Sequence, residues 1–291
     1  MTETLNILLK ISLVIFMAGN LLGMGLQLRL GTALVGLRNL RFVSYSLLWC
    51  FVLGPAVAWG LSRVIPLAPP YAMGLILIGL TPCAPFLPMM VDRARGDIGY
   101  TASFMLLASV GMVATMPFAV PLLVESLSVS AWRIARPLLG VVLLPLVTGM
   151  VILRRAPAFA AKAQPIVKKL SGVATIIMLL LCVLIYGEGF IGSAGSFATL
   201  AQVIFYAVVT AGSYAVAFGL PQRQRSVLAL GVCTRNLGAA FAPLFAVAGI
   251  DERAVVMVAL GVPLQTIAAF AAARLFGARA DAWLAGTGVR E

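Results

Sequence analysis

Long runs of apolar residues alternate along the chain with short clusters of charged, glycine and proline residues. A membrane-spanning helix needs about 20 apolar residues, and cutting the chain at the polar clusters leaves nine runs of about that length. The pattern therefore predicts an all-α polytopic membrane protein with nine transmembrane helices. They cover residues 5–28, 40–61, 71–91, 98–124, 131–153, 166–186, 197–220, 227–250 and 254–275.

The composition agrees with a membrane protein and argues against several functional classes. Of the 291 residues, 62% are hydrophobic and 10% are charged, whereas a soluble domain is about 45–50% apolar and about 25% charged. The chain has no histidine, and its acidic residues lie near a terminus or in predicted connections. Histidine-dependent hydrolysis, histidine-ligated metals and carboxylate proton relays thus lack a key residue. We expect neither an enzyme nor a bound cofactor.

The net charge of +12 comes from basic residues between the apolar runs, with no basic patch beside aromatic residues, which argues against nucleic acid as a partner and favours membrane lipid. Positive charge accumulates in cytoplasmic loops. With Arg235 set aside, 15 Lys and Arg residues fall on one side of the predicted membrane and 5 on the other. We therefore expect a bacterial-type inner membrane protein with its N-terminus outside and its C-terminus in the cytoplasm.

Two predicted spans are interrupted. The third contains Pro82, Pro85 and Pro88, and each interior proline costs a helix about 3 kcal/mol. The eighth places Arg235 among apolar residues, at a cost of at least about 2.5–3.5 kcal/mol. Non-helical backbone inside a membrane is tolerated only where it is buried in protein or lines a wet cavity. Both interruptions therefore predict a binding site.

The two interrupted spans hold equivalent places, third in spans one to four and third in spans six to nine, and these two groups have opposite topology. Inverted repeats with matched broken helices are typical of secondary transporters, whose site lies where the breaks meet. Asn20 and Gln265, in the first and ninth spans, are candidates for that site or for polar contacts between helices. The predicted substrate-binding residues are Asn20, Thr81, Cys83, Thr234, Arg235, Asn236 and Gln265.

Four motifs resemble the bile acid:sodium symporter family in their order and spacing. They are Gly19-Asn-Leu-Leu-Gly23-Met-Gly25, Gly74-Leu-Ile-Leu-Ile-Gly-Leu-Thr-Pro82, Gly96-Asp97 and Arg235-Asn236-Leu-Gly238. The resemblance implies two crossing broken helices in a core domain that moves against a panel domain to give alternating access. It places the panel in residues 1–39 and 126–190, the core in 40–125 and 191–277, and a cytoplasmic tail in 278–291.

The residues that bind sodium in the similar family are mostly replaced here. Its first break carries two glycines and then Ser-Asn, where this chain has Cys83-Ala84 and Leu87-Pro88. Its second break carries Glu and Gln, where this chain has Gly231 and Arg235. Sodium needs several hard oxygen ligands, and side-chain oxygens remain at Thr101 and Thr234. We therefore expect a degenerate sodium site at Leu87, Pro88, Thr101 and Gly231 and no confident metal site.

Three functions stay open from the sequence. The first is a secondary carrier of a small or amphipathic organic anion, with Arg235 supplying the positive charge that sodium supplies in the similar family. The second is a permease for arsenite or a similar metalloid, because related permeases resemble this fold and carry a cysteine where Cys83 stands, with Cys233 in the other break as a second thiol. The third, of another class, is a membrane sensor or channel. The sequence leaves the substrate and the oligomeric state open.

Overall fold

The structure, a computed structural model, describes residues 2–124, 130–246 and 249–287. Within these residues the secondary structure is helical, without strands, and contains one isolated β-bridge. The helices are α1 (Thr2–Gly25), α2 (Leu30–Leu37), α3 (Leu40–Val64), α4 (Pro69–Gly79), α5 (Leu87–Arg93), α6 (Ile98–Leu123), α7 (Ala131–Arg155), α8 (Pro157–Ile185), α9 (Gly187–Gly192), α10 (Ala198–Ala215), α11 (Gln222–Cys233), α12 (Leu237–Ala246) and α13 (Glu252–Thr287).

Seven of these helices are long and apolar enough to cross a membrane: α1, α3, α6, α7, α8, α10 and α13. The chain is therefore a multi-pass membrane protein, as its composition predicts. The segments predicted as the third and eighth spans are each divided into two short helices, α4 with α5 and α11 with α12. In the part of the chain that the structure describes, seven of the nine predicted spans are thus continuous helices.

Several predicted boundaries are wrong. Helix α8 begins at Pro157 and not near residue 166, so the connection to α7 is the single residue Ala156. Proline is favoured in the first turn of a helix, and Lys162, the one lysine between residues 157 and 166, is exposed, so the helix need not end at it. Helix α13 continues to Thr287, beyond the predicted end of the ninth span at residue 275.

Two short helices, α2 and α9, lie in segments that were predicted as connections. Helix α2 packs against α6, where Ser103 Oγ donates a hydrogen bond to the carbonyl oxygen of Ala33 at 2.6 Å. The next helix, α3, is capped by Asn39, whose side chain accepts from the backbone N–H of Phe42 at 3.2 Å. Side-chain hydrogen bonds of this kind satisfy orphan N–H groups at helix starts. They fix the turn between α2 and α3.

The helices pack in two groups. Helix α1 packs mainly against α7 and α8. The short helices α4 and α11 pack among α3, α6, α10 and α13, whereas α12 lies between α13 and α7. The backbones of α1 and α7 meet at Gly25 and Gly149, where a Cβ on either residue would collide with the backbone of the other helix. Small residues allow this close approach in membrane helices. The first group therefore forms a compact unit beside the divided helices.

Candidate functional site

The two non-helical breaks, residues 80–86 and 234–236, lie against each other. Pro82 and Arg235 form an antiparallel β-bridge. The backbone N–H of Cys83 donates to the carbonyl oxygen of Thr234 at 2.8 Å, and the backbone N–H of Asn236 donates to the carbonyl oxygen of Thr81 at 2.8 Å. Unpaired backbone groups are costly inside a membrane. Each break therefore satisfies polar groups that the other leaves free.

Thr81 and Thr234 hold equivalent places in the two breaks. Thr81 Oγ1 donates to the carbonyl oxygens three and four residues earlier, both at 3.2 Å. Thr234 Oγ1 does the same at 3.4 and 3.0 Å. The last carbonyls of a helix lack partners within the helix, so each hydroxyl satisfies carbonyls at the C-terminal end of α4 or α11. Both threonines are fully buried.

The side chain of Arg235 extends into the helical core and is 0% exposed. Its Nη1 donates to the carbonyl oxygen of Gly79 at 3.2 Å, and its Cζ lies 5.0 Å from the centroid of the Phe205 ring. A Cβ on Gly54 of α3 would lie 3.1 Å from Nη2. Among the described residues, Nε and Nη2 have no hydrogen-bond partner and no carboxylate forms an ion pair with the guanidinium.

Helix dipoles supply the charge that compensates this guanidinium. Helix α4 ends at Gly79 and α11 ends at Cys233, so two helix C-termini lie at the breaks. Each helix C-terminus carries a partial charge of about −0.5, and two together balance one guanidinium. Cation–π contact with an aromatic face adds about 0.5–2 kcal/mol. The arrangement explains how an arginine without a carboxylate partner is accommodated in the core.

Two adjoining cavities lie between α1 and α8 on one side and the breaks and α13 on the other. Their volumes are about 190 and 110 Å³, and both are lined by Asn20, Pro85 and Phe86. The larger cavity touches both breaks, and the smaller one extends away from them along α1 and α8. The polar residues that line them are Asn20, Gln27, Gln164, Lys168, Thr175, Arg235, Asn236, Gln265 and Thr266.

The family model for the Sodium Bile acid symporter family matches residues 14–193, which is more than half of the chain. The chain belongs to the sodium bile acid symporter family. Its members are transporters and not enzymes. The matched residues include α1, α8 and the first break, and end before the second break and Arg235. No curated protein matches the chain.

Four of the residues predicted to bind substrate in this symporter homologue line the larger cavity: Asn20, Arg235, Asn236 and Gln265. Gln265 Oε1 accepts from the backbone N–H of Arg235 at 2.7 Å. Asn236 Oδ1 accepts from the backbone N–H of Ala239 at 3.2 Å and caps α12. Asn20 Nδ2 donates to the carbonyl oxygen of Phe16 at 2.7 Å. Gln265 and Asn236 therefore hold the second break in place and also border the cavity.

Thr81, Cys83 and Thr234, the other predicted site residues, do not line these cavities. Cys83 is buried and has a positive φ of 70°, a backbone conformation that a family glycine would adopt more easily. In the part of the chain that the structure describes, no three His, Cys, Asp or Glu residues lie close enough to hold a metal ion. Cys83 and Cys233 therefore have no third such ligand for a metalloid.

The positions that resemble the family's sodium ligands are filled by apolar packing. Leu87 is fully buried, and Pro88 has no side-chain oxygen. A Cβ on Gly231 would lie 2.6 Å from both Cδ1 and Cζ of Phe104, so the Phe104 ring occupies the space that a family glutamate would need. Thr101 has the only side-chain oxygen at the four degenerate positions, and its Oγ1 donates to the carbonyl oxygen of Asp97 at 2.8 Å. These positions do not fit a sodium ion.

The sequence-based prediction missed Lys168 and Phe104. Gln164, Lys168 and Thr175 are spaced by four and seven residues along α8. Residues at such spacings share one face of a helix, so a polar stripe on α8 was visible in the sequence. Phe104 gave no such signal, because its contact with Gly231 depends on how α6 packs against α11.

Proposed function

We propose that this protein is a secondary transporter that moves a small organic anion, such as a carboxylate or sulfonate, by alternating access. The observation that carries the proposal is the pair of cavities beside the two breaks, with Lys168 on their wall and, among the described residues, no acidic residue lining them. Membership of the sodium bile acid symporter family supports a transporter. The substrate class is inferred from the lining.

The second break favours an anion as the ligand. Helix α12 begins at Leu237 beside the larger cavity, and Asn236 and Gly238 line that cavity. The N-terminus of a helix carries a positive partial charge, which suits anions. Lys168 lines the adjoining cavity. The cavities, at about 190 and 110 Å³, are smaller than the roughly 300–1,000 Å³ of drug-sized ligand pockets, which favours a small anion.

The cavities also suggest which parts move. They lie between the group α1, α7 and α8, which corresponds to the panel, and the helices that surround the breaks, which correspond to the core. In our proposal the breaks belong to inverted repeats, so that the divided helices count as the third and eighth of nine spans. Rigid-body motion of one repeat-derived domain against another is the common route to alternating access.

Transport is proposed to be independent of sodium. We expect an organic anion to raise the thermal stability of the purified protein equally in sodium and in choline at constant ionic strength, because Leu87, Pro88 and Gly231 offer no side-chain oxygen and Phe104 fills the space beside Gly231. The measurement is a thermal unfolding screen over carboxylates and sulfonates in both salts. Any hit is then tested for counterflow in proteoliposomes, where substrate on the far side accelerates uptake in a carrier and not in a channel.

Lys168→Gln tests whether Lys168 contacts the bound anion. A hydrogen bond to a charged group contributes about 1.5–3 kcal/mol, so this variant should bind the anion roughly 10–100-fold more weakly. Lys162→Gln removes the same charge from an exposed part of α8 that does not line the cavities and should bind normally. Anion-induced stabilisation that requires sodium would refute sodium-independent transport. Wild-type affinity in Lys168→Gln would refute the proposed contact between Lys168 and the anion.

The proposed orientation has an outside N-terminus and a cytoplasmic C-terminus in a bacterial-type inner membrane. In a cysteine-free background, Ala161→Cys on α8 should react with a membrane-impermeant thiol reagent only in inside-out vesicles, and Ala194→Cys only in right-side-out cells. Both alanines are exposed, so burial does not prevent labelling. The expectation rests on the excess of basic residues in the predicted loops that lie on the same side of the membrane as Ala161. The reverse labelling pattern would overturn it.

A further inference from the structure

A groove runs along the outer face of the protein between α10 and α13. It is lined at helical spacing from Val203 to Ala215 on α10 and from Leu264 to Arg279 on α13, and its volume is about 600 Å³. Twelve residues of helix rise about 18 Å. One leaflet is half of a hydrocarbon core about 30 Å thick. The groove is therefore about as long as one leaflet is deep.

The walls and the floor of this groove are apolar over most of its length. Its outer residues, such as Ala207, Ala211 and Ala271, are exposed and small, whereas the floor is made of buried aromatic side chains, among them Tyr206 and Phe276. Alanines leave a furrow between two helices that larger side chains would fill. Such a furrow on a membrane-facing surface accommodates an acyl chain.

One end of the groove is basic and aromatic. Tyr214 stacks on Phe276 with ring centroids 4.3 Å apart. Arg225 donates from Nε and Nη2 to the carbonyl oxygen of Tyr214 at 3.2 and 2.7 Å, and Arg279 Cζ lies 5.2 Å from the centroid of the Tyr214 ring. Gln222 accepts from Tyr214 Oη through Oε1 at 2.6 Å. Two guanidinium groups are thereby gathered around one tyrosine.

Neither guanidinium group has a carboxylate partner in the part of the chain that the structure describes. The ion pairs there join Arg95 to Asp281 and Arg253 to Asp251, and neither includes Arg225 or Arg279. Gln222 Nε2 is buried without a hydrogen-bond partner. Arg279 lines the groove, and Arg225 and Gln222 contact Tyr214, which also lines it. Basic pockets between transmembrane helices on the cytoplasmic side bind anionic lipid headgroups.

We propose that this groove binds a phospholipid with an anionic headgroup. One acyl chain lies along the furrow between α10 and α13, and the headgroup phosphate is held by Arg225 and Arg279, with Gln222 Nε2 as a further donor. In the proposed orientation this end of the groove faces the cytoplasm, where anionic lipids concentrate. The site is separate from the cavities beside the breaks and does not depend on what the protein transports.

The test compares two lipids that differ only in the headgroup. Purified protein in a neutral detergent is titrated with dioleoylphosphatidylglycerol or dioleoylphosphatidylcholine, and binding is followed by thermal stabilisation and by native mass spectrometry. Wild-type protein should bind phosphatidylglycerol at least tenfold more tightly. Each basic residue near an anionic lipid contributes about fivefold, so Arg225→Gln with Arg279→Gln should weaken phosphatidylglycerol binding about 30-fold and remove the preference over phosphatidylcholine.

Three further variants separate the headgroup contact from damage to the fold. Lys162→Gln removes an exposed basic residue outside the groove and should keep the preference. Ala211→Leu with Ala271→Leu fills the furrow at two exposed positions and should weaken binding of both lipids; this result decides the question if the double glutamine variant does not fold. Equal affinity for the two lipids would overturn the proposal. The proposal would also be overturned if the protein formed a dimer without added lipid and Ala211→Leu with Ala271→Leu abolished that dimer, because a second copy of the chain would then occupy the groove.

Discussion

Arg235→Ala is expected to lower the free energy of unfolding by about 2–5 kcal/mol, the range for large-to-small changes in packed interiors. The side chain is fully buried and packs between Gly54, Gly79 and Phe205, so its removal leaves a cavity. It also leaves the C-terminal ends of α4 and α11 without the cation that they face. Because the guanidinium points into the core, the loss should be the same with and without an anion. Thermal unfolding measures it, and counterflow should be abolished.

Arg235→Lys separates this bracing role from substrate recognition. Lysine keeps the charge but replaces a planar fork by a point charge, so we expect stability between that of the wild type and that of Arg235→Ala, with unchanged anion affinity. If Arg235 bound the substrate directly, affinity would fall while stability stayed the same. Arg38→Ala, which changes an exposed arginine on the protein surface, is the matched control and should unfold like the wild type. Wild-type stability and affinity in Arg235→Ala would contradict both roles.

The positions of the two breaks could be predicted from the sequence because each contains residues that a transmembrane helix does not normally tolerate. Three prolines in seven residues cannot continue a helix, and the structure ends α4 at Gly79, just before them. An arginine inside an apolar run requires a compensating environment, and the structure ends α11 at Cys233, two residues before Arg235. Local chemistry determines such features, so a single sequence reveals them.

Helix ends and short connecting helices were harder to predict from the sequence. The prediction ended spans at clusters of charge, but an exposed lysine does not end a helix, and α8 runs through Lys162, Lys168 and Lys169. Helices α2 and α9 are eight and six residues long, too short to be stable alone. Tertiary contacts such as that between Ser103 and Ala33 stabilise α2. Contacts of this kind cannot be deduced from local pattern.

The candidate site was predictable in its residues more than in its geometry. Asn20, Asn236 and Gln265 were expected as polar groups in apolar spans, and they line one cavity. The direction of the Arg235 side chain follows from the backbone turn after Cys233 and from the space that Gly54 leaves on α3. Those are properties of packed helices far apart in the chain. The same is true of the packing at Gly231.

Gly231→Ala is expected to destabilise the protein, although a change from glycine to alanine inside a helix is usually stabilising. Replacing a glycine inside a helix by alanine normally stabilises by roughly 0.5–1 kcal/mol. Here the new Cβ would lie 2.6 Å from two ring atoms of Phe104. That ring is fully buried and packs edge-on against Phe42, with centroids 6.4 Å apart, so it has little room to move. Overpacking of a core costs about 1–3 kcal/mol, which exceeds the gain in helix propensity.

A double-mutant cycle tests whether Phe104 is the cause. Phe104→Ala alone should cost about 3–5 kcal/mol, as for other buried phenylalanines, but adding Gly231→Ala to it should be neutral or stabilising, because the ring that opposes the Cβ is gone. Gly172→Ala on α8 is the matched control, since no other atom lies within 4 Å of a Cβ placed there, and it should stabilise. Thermal unfolding of the four variants in one detergent gives the comparison. If Gly231→Ala stabilised the protein as Gly172→Ala does, Phe104 would not fill the space beside Gly231, and that position would again be open to a ligand.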